Sequence, residues 1–333
     1  MEIVPAVSQR ALRIVLPGGS GQVGQILARH FQERGHHVTV LTRGPYAASW
    51  QTVHWDGEEP GEWIETLEGA DVCINLAGRG VNCRFHKDNR AAIYNSRIRS
   101  TQLLNQVIAS LADPPRVWLN ASTAAIYRHA LDREMDEETG ELGGDEFISR
   151  RRRAPDTWNF LVHVAKDWEA AFFESETPRT RKVALRSAIV FSPMPGSAFA
   201  VLSNLARLGL GGTQGNGRQF VCWIHEDDFA RAVEFLIDRE DLDGPVNIVA
   251  PHPLPNREFM QALREAWGRP NGLPASSLLI EIGAFLLRAE SELVLKSGRV
   301  VPGRLLDAGF EFEFPKWPEA AEDLVWQWRH RND

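Results

Sequence analysis

Short apolar runs alternate with longer amphipathic ones through the first half of the chain. Residues 12–16 (LRIVL), 37–42 (HVTVLT), 71–76 (DVCINL), 116–121 (RVWLNA) and 183–190 are rich in apolar and β-branched residues and read as strands. A further strand fits residues 51–55. Between them, apolar positions recur at helical spacing over 22–34, 87–111 and 157–175. Gly35 closes the first helix in the left-handed C-cap manner, and Pro114 with Pro115 stops the second. Strands that are nearly all apolar, each followed by a helix, belong to a parallel sheet covered on both faces. The predicted fold class is α/β, a doubly wound parallel sheet. After Gly196 the pattern turns to helices and short strands and ends in a Pro- and Trp-rich tail. This predicts a sheet domain over 10–190. A smaller substrate lobe with a C-terminal helical part takes most of 191–330, with some segments returning to the sheet. Residues 130–156 break the rhythm, acidic first and basic at 150–153. They predict a surface excursion, either solvated or laid as a lid over a pocket.

Composition narrows the function classes. The 333 residues are 43% hydrophobic and 24% charged, with a net charge of -7. That balance suits a soluble globular protein and leaves no basic footprint for nucleic acid, so none is expected as a partner. No apolar run reaches the roughly 20 residues that span a bilayer, so no membrane partner is expected either. The start, MEIVPAVSQR, lacks the build of a signal peptide. Cys73, Cys83 and Cys222 form neither a CxxC pair nor a disulfide framework. The expected location is the cytoplasm. The ten histidines show no metal-ligand spacing, and GxSxG and HExxH are absent. Glu226, Asp227 and Asp228 read as acids capping a helix start rather than as a metal cluster. No metal is expected.

The strongest chemical signal is Gly18-Gly19-Ser20-Gly21-Gln22-Val23-Gly24, which follows a predicted strand and opens a predicted helix. It satisfies GxGxxG from Gly19. Glycines there permit a tight turn, let backbone approach a pyrophosphate, and let helix pack on strand. The helix start then offers amide groups and partial positive charge to the phosphates. This is the fingerprint of a Rossmann dinucleotide site. The end of the second strand, Val38 to Gly44, carries no Asp or Glu to accept a ribose 2′-hydroxyl. It carries Arg43, which suits a 2′-phosphate. The expected cofactor is therefore NADP(H).

With these residues in place, the chain resembles the extended short-chain dehydrogenase/reductase superfamily. Asn75-Leu76-Ala77-Gly78 is similar to the "NLAG" turn beneath the cofactor. Ser122-Thr123-Ala124-Ala125-Ile126-Tyr127 is similar to "SSxxVY", which places Thr123 at the active-site Ser/Thr. Trp223 to Asp228 resembles "xxHVDD". The closer resemblance is to an atypical, epimerase-like branch with a C-terminal domain of unknown function. It is carried by Ser96-Arg97 with Thr101, by Gly211-Gly212 with Gly215, by Gly217-Arg218-Gln219, and by the segment VPGRLLDAGF at 301–310. It covers the chain from Arg13 to Leu324.

The superfamily's general acid is a tyrosine four residues before a lysine on one helix, a spacing that puts both on one face. Here Lys166 is present, and Val162 stands where the tyrosine would be. The resemblance implies that Lys166 still holds the cofactor ribose. Substitute donors within reach of the sequence are His163, which shares roughly that face, and Tyr127. Arg97 occupies the position of an asparagine in extended members; it suits an anionic substrate, a cofactor phosphate or a structural ion pair. Two functions follow. One is an NADP(H)-dependent oxidoreductase or epimerase-like enzyme acting on a small polar or sugar-like molecule. The other is a non-catalytic NADPH-binding regulator or scaffold.

Overall fold

The computed structural model describes residues 10–331 apart from 46, 145–146, 150–151, 154 and 276–294. Seven strands form one parallel sheet: Arg13–Pro17 (β1), His37–Thr42 (β2), Gln51–His54 (β3), Val72–Asn75 (β4), Val117–Thr123 (β5), Arg181–Ser187 (β8) and Gly244–Ile248 (β12). Phe147–Ser149 (β6) and Arg152–Arg153 (β7) pair with each other outside it. The sheet order is β12-β8-β5-β4-β1-β2-β3. The order reverses between β1 and β4, and a crevice opens at the carboxyl ends of strands flanking such a switch point.

Both sheet faces are covered because successive strand residues point to opposite sides. Leu16, Val40, Ile74, Leu119 and Leu185 pack with Gln22–Glu33 (α1) and Glu226–Asp238 (α5). Val15, Leu41, Cys73, Trp118 and Ala184 pack with Lys87–Ser110 (α2) and with Phe172 of Asp156–Phe173 (α3). Each fully buried Leu, Ile, Val or Phe among them contributes about 1.5–3 kcal/mol.

The apolar run at 183–190 does not stay one strand. Beyond Ser187, Ile189–Phe191 (β9) leaves the sheet and pairs with Trp223–His225 (β11), while Phe220–Val221 (β10) pairs with Leu254–Pro255 (β13). Phe191 and Trp223 thereby reach the core of the C-terminal lobe. There they meet Ala198–Arg207 (α4), Asn256–Ala266 (α6) and Trp317–Arg329, the last helix. Trp317 stacks on Phe259 with ring centroids 4.0 Å apart and donates its indole N–H to the Phe259 carbonyl. The Trp-rich tail is thus a core.

Lobe and sheet are interlocked. Gly303–Asp307 (α7) carries Leu305 into the core shared by α1 and α5, and Phe310 joins it. The described part of 130–156 is not a bare surface loop. Ala130 and Met135 are fully buried, and Met135 exchanges backbone hydrogen bonds with Arg299 and Val301. An apolar residue amid the acids supplies that anchor. No described helix is long and apolar enough to cross a membrane.

Candidate functional site

The glycine turn is built by close approach. A Cβ on Gly18 would lie 2.6 Å from Ala77 Cα, and one on Gly24 only 2.2 Å from the Gly19 carbonyl oxygen. Gly18 also adopts φ +74°. Gly19 meets Leu16 Cβ at 2.8 Å. Those three glycines are therefore required by the protein's own packing. Gly21 is different: a Cβ there meets nothing nearer than the Gly18 carbonyl oxygen at 4.0 Å. It faces open space at the start of α1, and no side chain caps that helix. The amides of Gln22, Val23 and Gly24 are left for an anion. This is a cradle that a side chain on Gly21 would fill, and it fits a pyrophosphate.

Neighbouring strands brace the turn. Gly18 N–H donates to the Leu41 carbonyl, and Leu76 N–H donates to the Pro17 carbonyl. Thr42 Oγ1 donates to Ser20 Oγ at 3.1 Å, tying the end of β2 to the turn. Arg43 follows, exposed and without a hydrogen-bond or ion-pair partner among the described residues. On β4, Asn75 is fully buried. Its Nδ2 donates to Asn120 Oδ1 at 2.7 Å and to Thr101 Oγ1 at 3.3 Å, and its Oδ1 accepts from Ala77 N–H. The Asn75 side chain therefore sets the Leu76-Ala77-Gly78 turn beneath the cradle.

The residues expected at a reactive end lie on β5 and α3. Thr123 ends β5, and its Oγ1 accepts from Ala125 N–H; the hydroxyl proton has no acceptor among the described residues. On α3, Val162, His163 and Lys166 converge on Gly144. A Cβ there would lie 3.7 Å from Val162 Cγ1, 3.5 Å from His163 Nε2 and 3.4 Å from Lys166 Nζ. The spacing of four puts Val162 and Lys166 on one stripe. Lys166 is half-buried with no hydrogen-bond partner among the described residues, and Val162 is fully buried.

Tyr127 does not serve as a substitute acid. It is 1% exposed; its hydroxyl donates to Asn247 Oδ1 at 3.0 Å and accepts from Arg186 Nη1 at 2.9 Å. Burial raises its pKa further from neutrality. The phenol belongs to a buried network in which Arg186 meets Glu169 through two nitrogens and Ser122 donates to Glu169 at 2.6 Å. Burial opposes the Arg186 charge most strongly of any single influence, but the hydrogen bonds and charge of Glu169 together with Tyr127 outweigh it and raise its pKa. The network locks α3 to β5 and β8. Sequence reasoning passed over it, although an arginine inside the apolar run of β8 was a visible signal.

Acids at the start of α5 are structural. Asp228 is fully buried and accepts from the backbone N–H groups of Glu313 and Phe314, both at 2.8 Å, and from Arg231. His225 caps the helix, accepting from Asp227 N–H. Among the described residues no three His, Cys, Asp or Glu gather in a metal-binding group. A groove of about 820 Å³ lies at the amino ends of β5, β8 and β12, away from the glycine turn, beside Arg116, Arg179, Arg181 and Lys182. Arg179 donates there to the Leu111 and Ala112 carbonyls after α2, and Arg181 to those of Leu236, Ile237 and Leu242 around the end of α5. Lys182 meets three oxygens, those of Asn105, Phe172 and Ser175. Arg179, Arg181 and Lys182 are thus committed to the fold.

The sheet order and the glycine turn at its switch point, with the Asn75-Leu76-Ala77-Gly78 turn beneath it, define a Rossmann-fold protein of the extended short-chain dehydrogenase/reductase class. A model of the NAD dependent epimerase/dehydratase family matches residues 14–154, and one of a domain of unknown function, DUF1731, matches 278–324. Human epimerase family protein SDR39U1 is 30% identical over 321 residues, which cover 94% of this chain and 100% of the human one. Epimerase family protein SSP1921 of Staphylococcus saprophyticus is 31% identical over 311 residues, 93% of this chain and 98% of its own. The chain belongs to this epimerase family. The crystal structure of human SDR39U1 isoform 2, solved with NADPH, matches with a TM-score of 0.81 at 30% identity, over 94% of this chain and 99% of that one. A nucleoside-diphosphate sugar epimerase from Corynebacterium glutamicum matches with a TM-score of 0.69 at 26% identity, over 95% of this chain and 59% of that one.

Proposed function

We propose that this protein binds NADPH in the crevice between the ends of β1 and β4 and uses it on a small polar or sugar-like molecule, as an oxidoreductase or epimerase-type enzyme. The observation that carries this reading is the contrast at the glycine turn. Gly18, Gly19 and Gly24 are closed by packing, whereas Gly21 opens onto the space a pyrophosphate needs. Arg43, at a strand end with no acid, would meet the 2′-phosphate. The human relative's structure with NADPH supports the same cofactor. Lys166 would hold the ribose hydroxyls, and Thr123 would donate its unused proton in a hydrogen bond to a substrate oxygen. The nicotinamide, when bound, supplies hydride transfer.

Without the tyrosine, turnover is expected to be slow, because a positioned general acid is worth about 100- to 10,000-fold. The second reading, a non-catalytic NADPH-binding regulator or scaffold, has its own observation: Val162 fills the tyrosine's position and Tyr127 is tied up in the fold. NADPH oxidation across a carbonyl panel separates the two. Enzymatic function predicts slow turnover on at least one compound, lowered at least tenfold by Thr123→Ala. Stoichiometric NADPH binding with no turnover on any compound contradicts it and favours the regulator.

A further inference from the structure

Arg97 is a half-buried arginine on α2. Half-buried Arg181 and buried Arg186 each engage two or more guanidinium nitrogens with protein acceptors. Arg97 engages one. Its Nη1 donates to the carbonyls of Arg79 and Ile93, both at 3.0 Å, and the latter already lies in the α2 ladder. Nε and Nη2, which form one edge of the fork, have no acceptor among the described residues. No carboxylate among them lies within ion-pair distance of Arg97.

The guanidinium is held in place nonetheless. One face lies against Gly78, where a Cβ would sit 3.2 Å from Cζ, 3.3 Å from Nη2 and 3.4 Å from Nε. Trp168 lies 5.2 Å away, measured from Cζ to the ring centroid. A side chain on Gly78 would crowd the group, which would have to shift by a few tenths of an ångström. Loss of water without a counter-charge lowers its pKa to about 10. It stays fully charged at neutral pH, and what it lacks is an anion. Gly78 is the last residue of the turn beside the cradle, and Trp168 follows Lys166 by two residues on α3. The guanidinium is therefore held between the Leu76-Ala77-Gly78 turn and the face of α3 that packs on α2.

We propose that the Nε/Nη2 edge of Arg97 receives an oxyanion of the substrate, a carboxylate or a phosphate, and so makes this a site for acidic small molecules. A planar two-nitrogen edge matches the two oxygens of such a group, which a lysine cannot do. The proposal rests on the cofactor reading of the same crevice, and its test separates the two.

The test is calorimetric binding of oxalate and of inorganic phosphate to the NADPH-saturated full chain, with NADPH affinity measured alongside. Wild type is expected to bind at least one of the two anions. Arg97→Gln should weaken that binding at least tenfold while leaving NADPH affinity within about twofold; Arg97→Lys should recover only part of it. Three results overturn the proposal: no anion binding by the NADPH-saturated wild type, anion binding unchanged in Arg97→Gln, or a loss of NADPH affinity in Arg97→Gln as large as the loss of anion binding. The last would give the fork to the cofactor's own phosphates. Should Arg97→Gln fail to fold, Arg97→Lys carries the test: anion affinity equal to wild type then overturns the bidentate reading, and at least a threefold loss at unchanged NADPH affinity supports it. If NADPH itself does not bind wild type, the cofactor reading fails first, and that failure is seen directly.

Discussion

Gly21 and Gly24 sit three residues apart, yet their substitution should fail in opposite ways. Gly21→Val adds a side chain to open space, so it should leave folding intact and abolish NADPH binding. Gly24→Ala would press a methyl within 2.2 Å of the Gly19 carbonyl oxygen, so it should destabilise the fold itself. Overpacking of this kind costs about 1–3 kcal/mol or more. Urea unfolding and NADPH fluorescence titration of both variants check the pair. A Gly21→Val protein that folds and binds NADPH normally would remove the glycine turn from the site. The motif announces all four glycines, but only the built backbone shows which ones serve the ligand and which serve packing.

At the scale of elements, the proposed chemistry turns on α3, which carries Val162 and Lys166. The sequence alone suggests that Val162→Tyr would restore a proton donor beside Lys166. The structure changes that expectation, because Val162 is fully buried beneath Gly144. A phenol ring would have to displace that backbone. Val162→Tyr should therefore lose about 1–3 kcal/mol of stability and gain no reductase activity; increased activity at unchanged stability would show that the Gly144 segment yields easily. The first five sheet strands and α1 to α3 were legible within a residue or two, because their apolar periods are long and their stops are Gly and Pro. Two kinds of feature were not legible. The departure of β9 from the sheet depends on a partner strand more than thirty residues later. The Tyr127–Arg186–Glu169 network joins three elements distant in sequence, so no local spacing marks it.

For the molecule as a whole, the C-terminal segment is held to the sheet domain by a few buried polar contacts in addition to its apolar core. Asp228 is the densest of these, receiving two backbone amides and a guanidinium. Asp228→Ala would orphan both amides, at about 1–3 kcal/mol for each group left unpaired. The expected outcome is a lower urea midpoint and faster proteolysis near residues 311–314; an unchanged proteolysis pattern would show that Leu305 and Phe310 suffice to hold the segment. The sequence marked Asp228 only as a capping acid, since its partners lie 85 and 86 residues away.

The central claim is that the β1–β4 crevice is an NADPH site selected by Arg43. Parallel titration of wild type and Arg43→Ala with NADPH and NADH tests it most directly. The account predicts that wild type binds NADPH at least tenfold more tightly than NADH. It also predicts that Arg43→Ala loses most of that preference by weakening NADPH alone, since the guanidinium would meet only the 2′-phosphate. Equal wild-type affinities for the two cofactors, or a preference that survives in Arg43→Ala, would contradict it.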